Sequence, residues 1–369
     1  MRNFIFLLVG TGLLVTTMSA QIKRDEGLSV SERRAPPTVQ SSLLKTRELI
    51  RNKNLGFRVG VTGIAGREMN TLAGTITPPN INRIAADQNK EAAKLFGISP
   101  DKLLSIDLGN LSILQSSVEQ VIVDPFGKVT TKTVPKKSVE KKLPAGINEK
   151  SSHLDWRMYG VSLPIRSQKC GNCWAYATQG IYELAFVRSY GYSPFNTSEQ
   201  FLVSNGKAGK CDGGYLVYGM KFLQSFGAMG EDTYPDVGTN GTPVADLTKL
   251  KPLHKPILTY GFIDPNGSVP KTENLKKALV TYGPLAVTMT STEAFKLYTD
   301  GVFDENADGP LNHAVILMGW DDSKQAWIVR NSWGNDWGIT AGFGSERGYA
   351  YMKYFSNSIG YGAMWLVVK

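Results

Sequence analysis

Residues 167–174 read Ser-Gln-Lys-Cys-Gly-Asn-Cys-Trp and lead into a mostly apolar stretch, Trp174 to Arg188, that reads as a helix. Two cysteines two residues apart constrain any fold built around them, because each needs a partner or a purpose. The chain holds one further cysteine, Cys211, so one disulfide at most can form. If Cys170 pairs with Cys211, Cys173 is left as a lone thiol, and catalysis is the leading reason for an exported protein to keep one. A redox pair between Cys170 and Cys173 is the competing reading. A metal site from one histidine and the three cysteines lacks ligand spacing.

Export itself is expected from the N-terminus. Arg2 precedes an apolar run from Phe4 to Val15, followed by small and polar residues, which fits a secretory signal over 1–20. The run is short for a membrane span, so no stable membrane anchor is expected after cleavage. The net charge of +9 is unevenly placed. Residues 1–150 hold 22 Lys/Arg against 13 Asp/Glu, whereas residues 151–369 hold 19 of each. A nucleic-acid enzyme would carry its basic face on the catalytic part, so nucleic acid is not an expected partner.

The chain reads in three parts: the signal, an expected pro-region over 21–145, and a compact domain over 146–369. Within the second part, Leu43, Leu44 and Ile50 sit among charges as in an amphipathic helix over 40–53. Phe57 to Val61 alternates like a strand, 81–96 reads as a second helix, and Val118 to Val123 as a strand. Residues 128–143 carry six lysines around Pro135 and read as a linker open to processing. In the third part helical spacing persists to Phe226. Strands follow after Pro256, at Leu285 to Met289, His313 to Met318, Ala326 to Arg330, Tyr349 to Tyr354 and Met364 to Val368. Helices first and strands later imply an α+β fold of two subdomains with a cleft between them.

A thiol attacks an acyl carbon well only as thiolate, and a helix N-terminus or a nearby imidazolium favours that form. Cys173 sits where the helix begins. Of the histidines, His153 precedes the first strong element and His254 lies between Pro252 and Pro256 in a loop. His313 alone is mounted on a strong strand, 140 residues after Cys173. Asn331, directly after the strand 326–330, could orient its ring, with Trp333 shielding that hydrogen bond. Gln168 is the nearest side-chain amide for a developing oxyanion, beside the Cys173 backbone N–H.

These residues lie within a series of phrases: Asp155-Trp156-Arg157, Pro164 to Gln168, Cys170 to Tyr176, Ser198-Glu199-Gln200, Cys211 to Gly214, Gly283-Pro284-Leu285, Gly301-Val302-Phe303, Leu311 to Val315, Asn331 to Gly334 and Trp337-Gly338. In that order they resemble the papain-like (cathepsin-like) cysteine proteases across about 150–369. The resemblance implies a papain-like fold, with a helical subdomain and a β-barrel-like one. It also implies Cys173 as nucleophile, His313 as general acid and base, Asn331 as orienter and Gln168 as oxyanion donor. Cys170 and Cys211 would form a disulfide. Gly213 and Gly214 would pair with extended substrate. Leu216, Leu311, Ala314 and Met364 would form an apolar S2 pocket, with Trp333 also counted among the substrate-binding residues. No cofactor is implied. Partners would be peptide or protein substrates and the chain's own pro-region as an intramolecular inhibitor.

Three departures from the family pattern stand out. Only Lys169 separates Gln168 from Cys170, where the family usually has two residues. Asn172 replaces a small Ser or Ala beside the nucleophile, and 339–346 is an insertion. The N-terminal region also lacks the usual interrupted helix signature. The expected function is therefore an exported cysteine endopeptidase made as a zymogen. A catalytically weakened peptide-binding protein is the alternative, with the shortened Gln168 loop as its lesion, and a thiol–disulfide oxidoreductase ranks behind it.

Overall fold

The computed structural model describes residues 27–110, 117–123, 129–135, 140–191, 196–250 and 257–368. The expected signal over 1–20 and His254 lie outside these residues. The first helix, α1 (Pro37–Lys53), has Pro at its first position, where the missing N–H would be unpaired anyway, and closes at a left-handed Asn54. Then come β1 (Phe57–Val59) and α2 (Ile81–Phe96). Strands β2 (Ser117–Val123) and β3 (Val129–Pro135) pair antiparallel with each other. The supposed linker over 128–143 is thus partly a strand. Its lysines had suggested a tether, but the Val and Thr residues between them favour extended backbone.

The third part begins with β4 (His153–Asp155) and the buried helix α3 (Cys173–Tyr190). Helical structure does not run unbroken to Phe226. Between α4 (Glu199–Asn205) and α5 (Leu216–Ser225), the short strands β5 (Gly209–Lys210) and β6 (Gly213–Gly214) make a two-stranded turn. Next are β7 (Ile257–Phe262), α6 (Thr272–Tyr282), β8 (Leu285–Met289), α7 (Glu293–Lys296) and β9 (Tyr298–Phe303). The chain ends with β10 (His313–Asp321), β11 (Ala326–Arg330), β12 (Tyr349–Lys353) and β13 (Tyr361–Val368). Helix α6 interrupts the stretch that read as strands alone.

The main sheet runs β1-β9-β12-β11-β10-β8-β13-β7, with β4 pairing to β10 beside this path. Every pairing is antiparallel except β12 with β9. Strands β8, β10 and β11 are buried along their whole length, which explains their continuous apolar runs. Helix α3 packs across β10, β13 and β8 and is buried on nearly every face, so its stripe-free composition suits its place. Three ion pairs made by two arginines fix the loops. Arg157 clasps Asp155 at 2.6 Å and donates to the carbonyls of Thr340 and Ala341, which anchors the insertion 339–346. Arg166 joins Glu183 on α3 to Glu199 on α4 at 2.7 and 2.9 Å. The helices α3–α5 and the sheet meet along a line that carries Cys173 on one side and His313 on the other.

Candidate active site

Cys173 is the first residue of α3, and Cys170 is bonded to Cys211, so Cys173 is the free thiol of the described residues. That pairing removes the Cys170–Cys173 redox reading. The first turn of a helix carries a partial positive charge, and Cys173 stands in that turn. Two groups from the N-terminal region touch Sγ: Thr75 Oγ1 at 3.2 Å and the Gly74 N–H at 3.4 Å. Burial raises the thiol pKa, but the charge and hydrogen bonding of His313, with Thr75 and Gly74, outweigh it and bring it down to about 7.

His313 opens β10 and is fully buried. Its Nε2 lies 2.8 Å from Asn331 Oδ1. The same oxygen accepts the Ser332 N–H at 2.8 Å, so it is the amide oxygen that faces the ring and Nε2 that donates. This fixes the tautomer and leaves Nδ1 without a competing partner, free to carry or give up a proton on the side of the thiol. Trp333 stacks on the imidazole, centroids 4.6 Å apart, and Phe295 approaches its edge at 6.4 Å. The hydrogen bond to Asn331 is therefore dry, which strengthens it.

Gln168 is buried at the cleft floor despite its shortened loop. Its Oε1 accepts from Ser332 Oγ at 2.7 Å, and its Nε2 donates to the Cys170 carbonyl at 2.7 Å and to the Leu72 carbonyl at 3.2 Å. The tightened loop thus turns the amide donor back on its own backbone while leaving it facing the cleft. Asn172, the other unusual residue, is fully buried with neither amide atom paired.

Residues 72–78 lie along the cleft. Thr75 forms a parallel bridge to Gly214, with the Gly214 N–H donating to Gly74 O at 2.7 Å and the Ile76 N–H to Gly214 O at 2.8 Å. The Thr75 N–H donates to Asn312 O at 2.9 Å, and Trp333 Nε1 to Leu72 O at 3.1 Å. Both strands come too close for side chains. A Cβ on Gly74 would stand 1.9 Å from the Gly171 carbonyl oxygen, and one on Gly214 would stand 2.4 Å from the Trp174 ring. Leu216 and Met364 line an apolar pocket beside this segment, together with Phe262 and, from the N-terminal region, Pro78 and Ile81. Leu311 and Ala314 do not line it. Ala314 lies directly opposite Thr288 on the neighbouring strand, and Thr288 does line it.

The elements so far place Cys173, His313, Asn331, Gln168, Trp333 and Gly214 in one cleft. Gly74, Thr75 and Ser332 belong to it too, and sequence reasoning missed them. Leu72 to Pro79 carried a usable signal, since β-branched residues before a Pro pair read as extended backbone.

A family model for papain family cysteine proteases matches residues 150–362, more than half of the chain. Cysteine proteinase 2 of Zea mays is 31% identical over 205 residues, covering 53% of this chain and 55% of that one. The cathepsin L-like peptidase of Aedes aegypti is 33% identical over 221 residues, covering 57% and 60%. The chain thus spans little more than half the length of these curated relatives. The solved structure of recombinant stem bromelain precursor shares the fold at a TM-score of 0.56 and 20% identity, over 95% of this chain and 99% of that one. With a free thiol at a helix start facing a histidine held by an asparagine, and a family match across the whole region that builds them, the chain belongs to the papain family of cysteine proteases.

Proposed function

We propose that this chain is the precursor of an exported cysteine endopeptidase, with residues 21–145 as pro-region and 146–369 as catalytic domain. The observation that carries the reading is the row Cys173–His313–Asn331, with the thiol pKa lowered to about 7. The Cys173 thiolate adds to the substrate carbonyl carbon. The oxyanion so formed accepts from helix-start N–H groups and from Gln168 Nε2. The His313 imidazolium protonates the leaving amine as the C–N bond breaks, leaving a thioester. His313 then takes a proton from water, the hydroxide adds to the thioester, and the carboxylate product leaves as the thiolate is restored. Asn331 and Trp333 hold the ring for both steps. Export is supported by the disulfide Cys170–Cys211. Among the described residues, no helix is long and apolar enough to cross a membrane.

The pro-region is read as the inhibitor because of its direction. It passes Gln168 and Trp333 at Leu72, Cys173 at Thr75, and the apolar pocket at Ile76 to Pro78. A substrate with an apolar side chain in that pocket, two residues before the cut, runs the other way. The segment therefore fills the cleft without presenting a carbonyl to Sγ in the reactive sense. The test is hydrolysis of a fluorogenic peptide with an apolar residue two before the cut, by processed wild type and Cys173→Ala. Activity confined to wild type is expected. Equal turnover by both would end the reading, and binding without turnover by wild type would favour the peptide-binding alternative.

A further inference from the structure

Helix α2 is bound to the catalytic domain in a different manner from the segment that blocks the cleft. Its inner face, Ala85, Asn89, Ala92, Ala93 and Phe96, is buried. It covers β7, the last strand of the sheet, whose outward backbone groups would otherwise be unpaired. Asn89 acts as a substitute strand: its Nδ2 donates to Phe262 O at 3.0 Å and its Oδ1 accepts the Phe262 N–H at 2.8 Å. Gln88 Nε2 adds a bond to Tyr260 O at 2.9 Å. Phe96 lies over the buried Trp365, and the 3-10 turn after the helix takes a 2.6 Å bond from Tyr282 Oη at the Leu103 carbonyl. At its start, Ile81 stands in the wall of the apolar pocket with Leu216, Phe262 and Met364. Only Pro79 and Asn80, both exposed, join this helix to the cleft segment.

We propose that α2 stays on the enzyme after the chain is cut on both sides of it, near Pro79–Asn80 and again before residue 146, as a non-covalently held part of the active unit, and that Ile81 is a permanent wall of the pocket and limits the side chain it accepts. This extends the peptidase reading and rests on it for the role of Ile81. Each cut is ordinary hydrolysis, one water added across one peptide bond to give a carboxylate and an amine. The first cut frees residues 72–78 and costs α2 only the Ile81 N–H bond to Pro78 O, leaving its contacts with β7 intact. Loss of the helix would instead uncover Trp365, Phe262 and Tyr282 together with the β7 edge.

Full-length wild type and full-length Cys173→Ala, each nicked by brief treatment with a broad-specificity protease, should be compared by native size exclusion and mass spectrometry of the fractions. Among molecules cut on both sides of α2, a separate fragment containing residues 81–96 is expected to travel with the fragment containing 173–368 in both proteins. Its appearance only in separate, smaller fractions would overturn the proposal. In activated wild type, Ile81→Ala should shift the kcat/KM ratio toward peptides with a bulkier side chain two before the cut by about tenfold. Labelling of Cys173 by iodoacetamide should stay the same. An unchanged ratio would overturn the role of Ile81 even if the helix is retained. Co-elution in a wild type that hydrolyses no peptide would instead sink the peptidase reading and leave helix retention standing, so the two failures are distinguishable.

Discussion

The cleft segment 72–78 and helix α2 follow each other in the chain, yet they hold the catalytic domain by opposite means. The segment is read through its backbone: Gly74 O and Ile76 N–H on Gly214, Thr75 N–H on Asn312, Leu72 O on Gln168 and Trp333. Its Ile76 side chain is 43% exposed. The helix is read through its side chains, with Asn89 on the Phe262 backbone and an Ala-rich face on β7. A backbone-read segment tolerates most sequence changes and is strict only where a side chain has no room. A side-chain-read helix tolerates few changes on its inner face. Latency and attachment are therefore separable within one N-terminal region.

Four experiments bear on that contrast. The largest effect belongs to Cys173→Ala, which should cut peptide turnover by about 10⁴-fold or more while both the cleft segment and α2 stay bound, since neither depends on the sulfur for its main contacts. Protection of both segments from proteolysis checks the second half. Gly74→Val should open the cleft without loosening α2, because no side chain fits 1.9 Å from the Gly171 oxygen. Unprocessed protein should then gain roughly tenfold or more in activity or thiol labelling, an estimate that follows from losing a few backbone hydrogen bonds. A fully latent variant would contradict the backbone-read account. Asn89→Ala should do the reverse. It leaves the Phe262 N–H and C=O without partners and should cost about 2–3 kcal/mol, seen as a lower Tm of the precursor with latency unchanged.

The smallest effect is on the thiol. Thiolate absorbance in the precursor should titrate with a midpoint of about 7. Thr75→Val removes one of the hydrogen bonds that lower it and should move the midpoint up by less than one unit. The linkage follows from the sign: the thiol binds its proton more weakly folded than unfolded. The precursor therefore gains stability as pH rises from about 7 toward 9 and loses that contribution as pH falls through about 7. A flat stability profile across that window would argue against thiolate stabilisation by the cleft.

The catalytic half was legible because its chemistry is local and scarce. Three cysteines and three histidines leave few combinations, and His313 and Asn331 each sit at the end of an apolar run that marks a strand. Helix α2 was legible to its ends, since Ala-rich periodicity closes at Gly97. What it binds was not, because Asn89 looks like any helix-surface amide until β7 is placed beside it. The pairing of β2 with β3 was half hidden, as the lysines of 128–143 outweighed the Val and Thr residues of β3. The cleft segment was missed for a related reason: Thr75 to Pro79 signals extended backbone, but nothing in a backbone-read segment says which partner it pairs with.

The order of the main sheet has one further consequence. Both of its ends are finished by the N-terminal region, β9 by β1 and β7 by the amides of α2. The catalytic domain made alone would carry two raw sheet edges, and such edges recruit other chains. Expressed without residues 27–110, it should self-associate in a concentration-dependent way that light scattering would register. With α2 kept and β1 gone, one edge stays closed, so the molecule would be left able to pair but not to polymerise through its sheet.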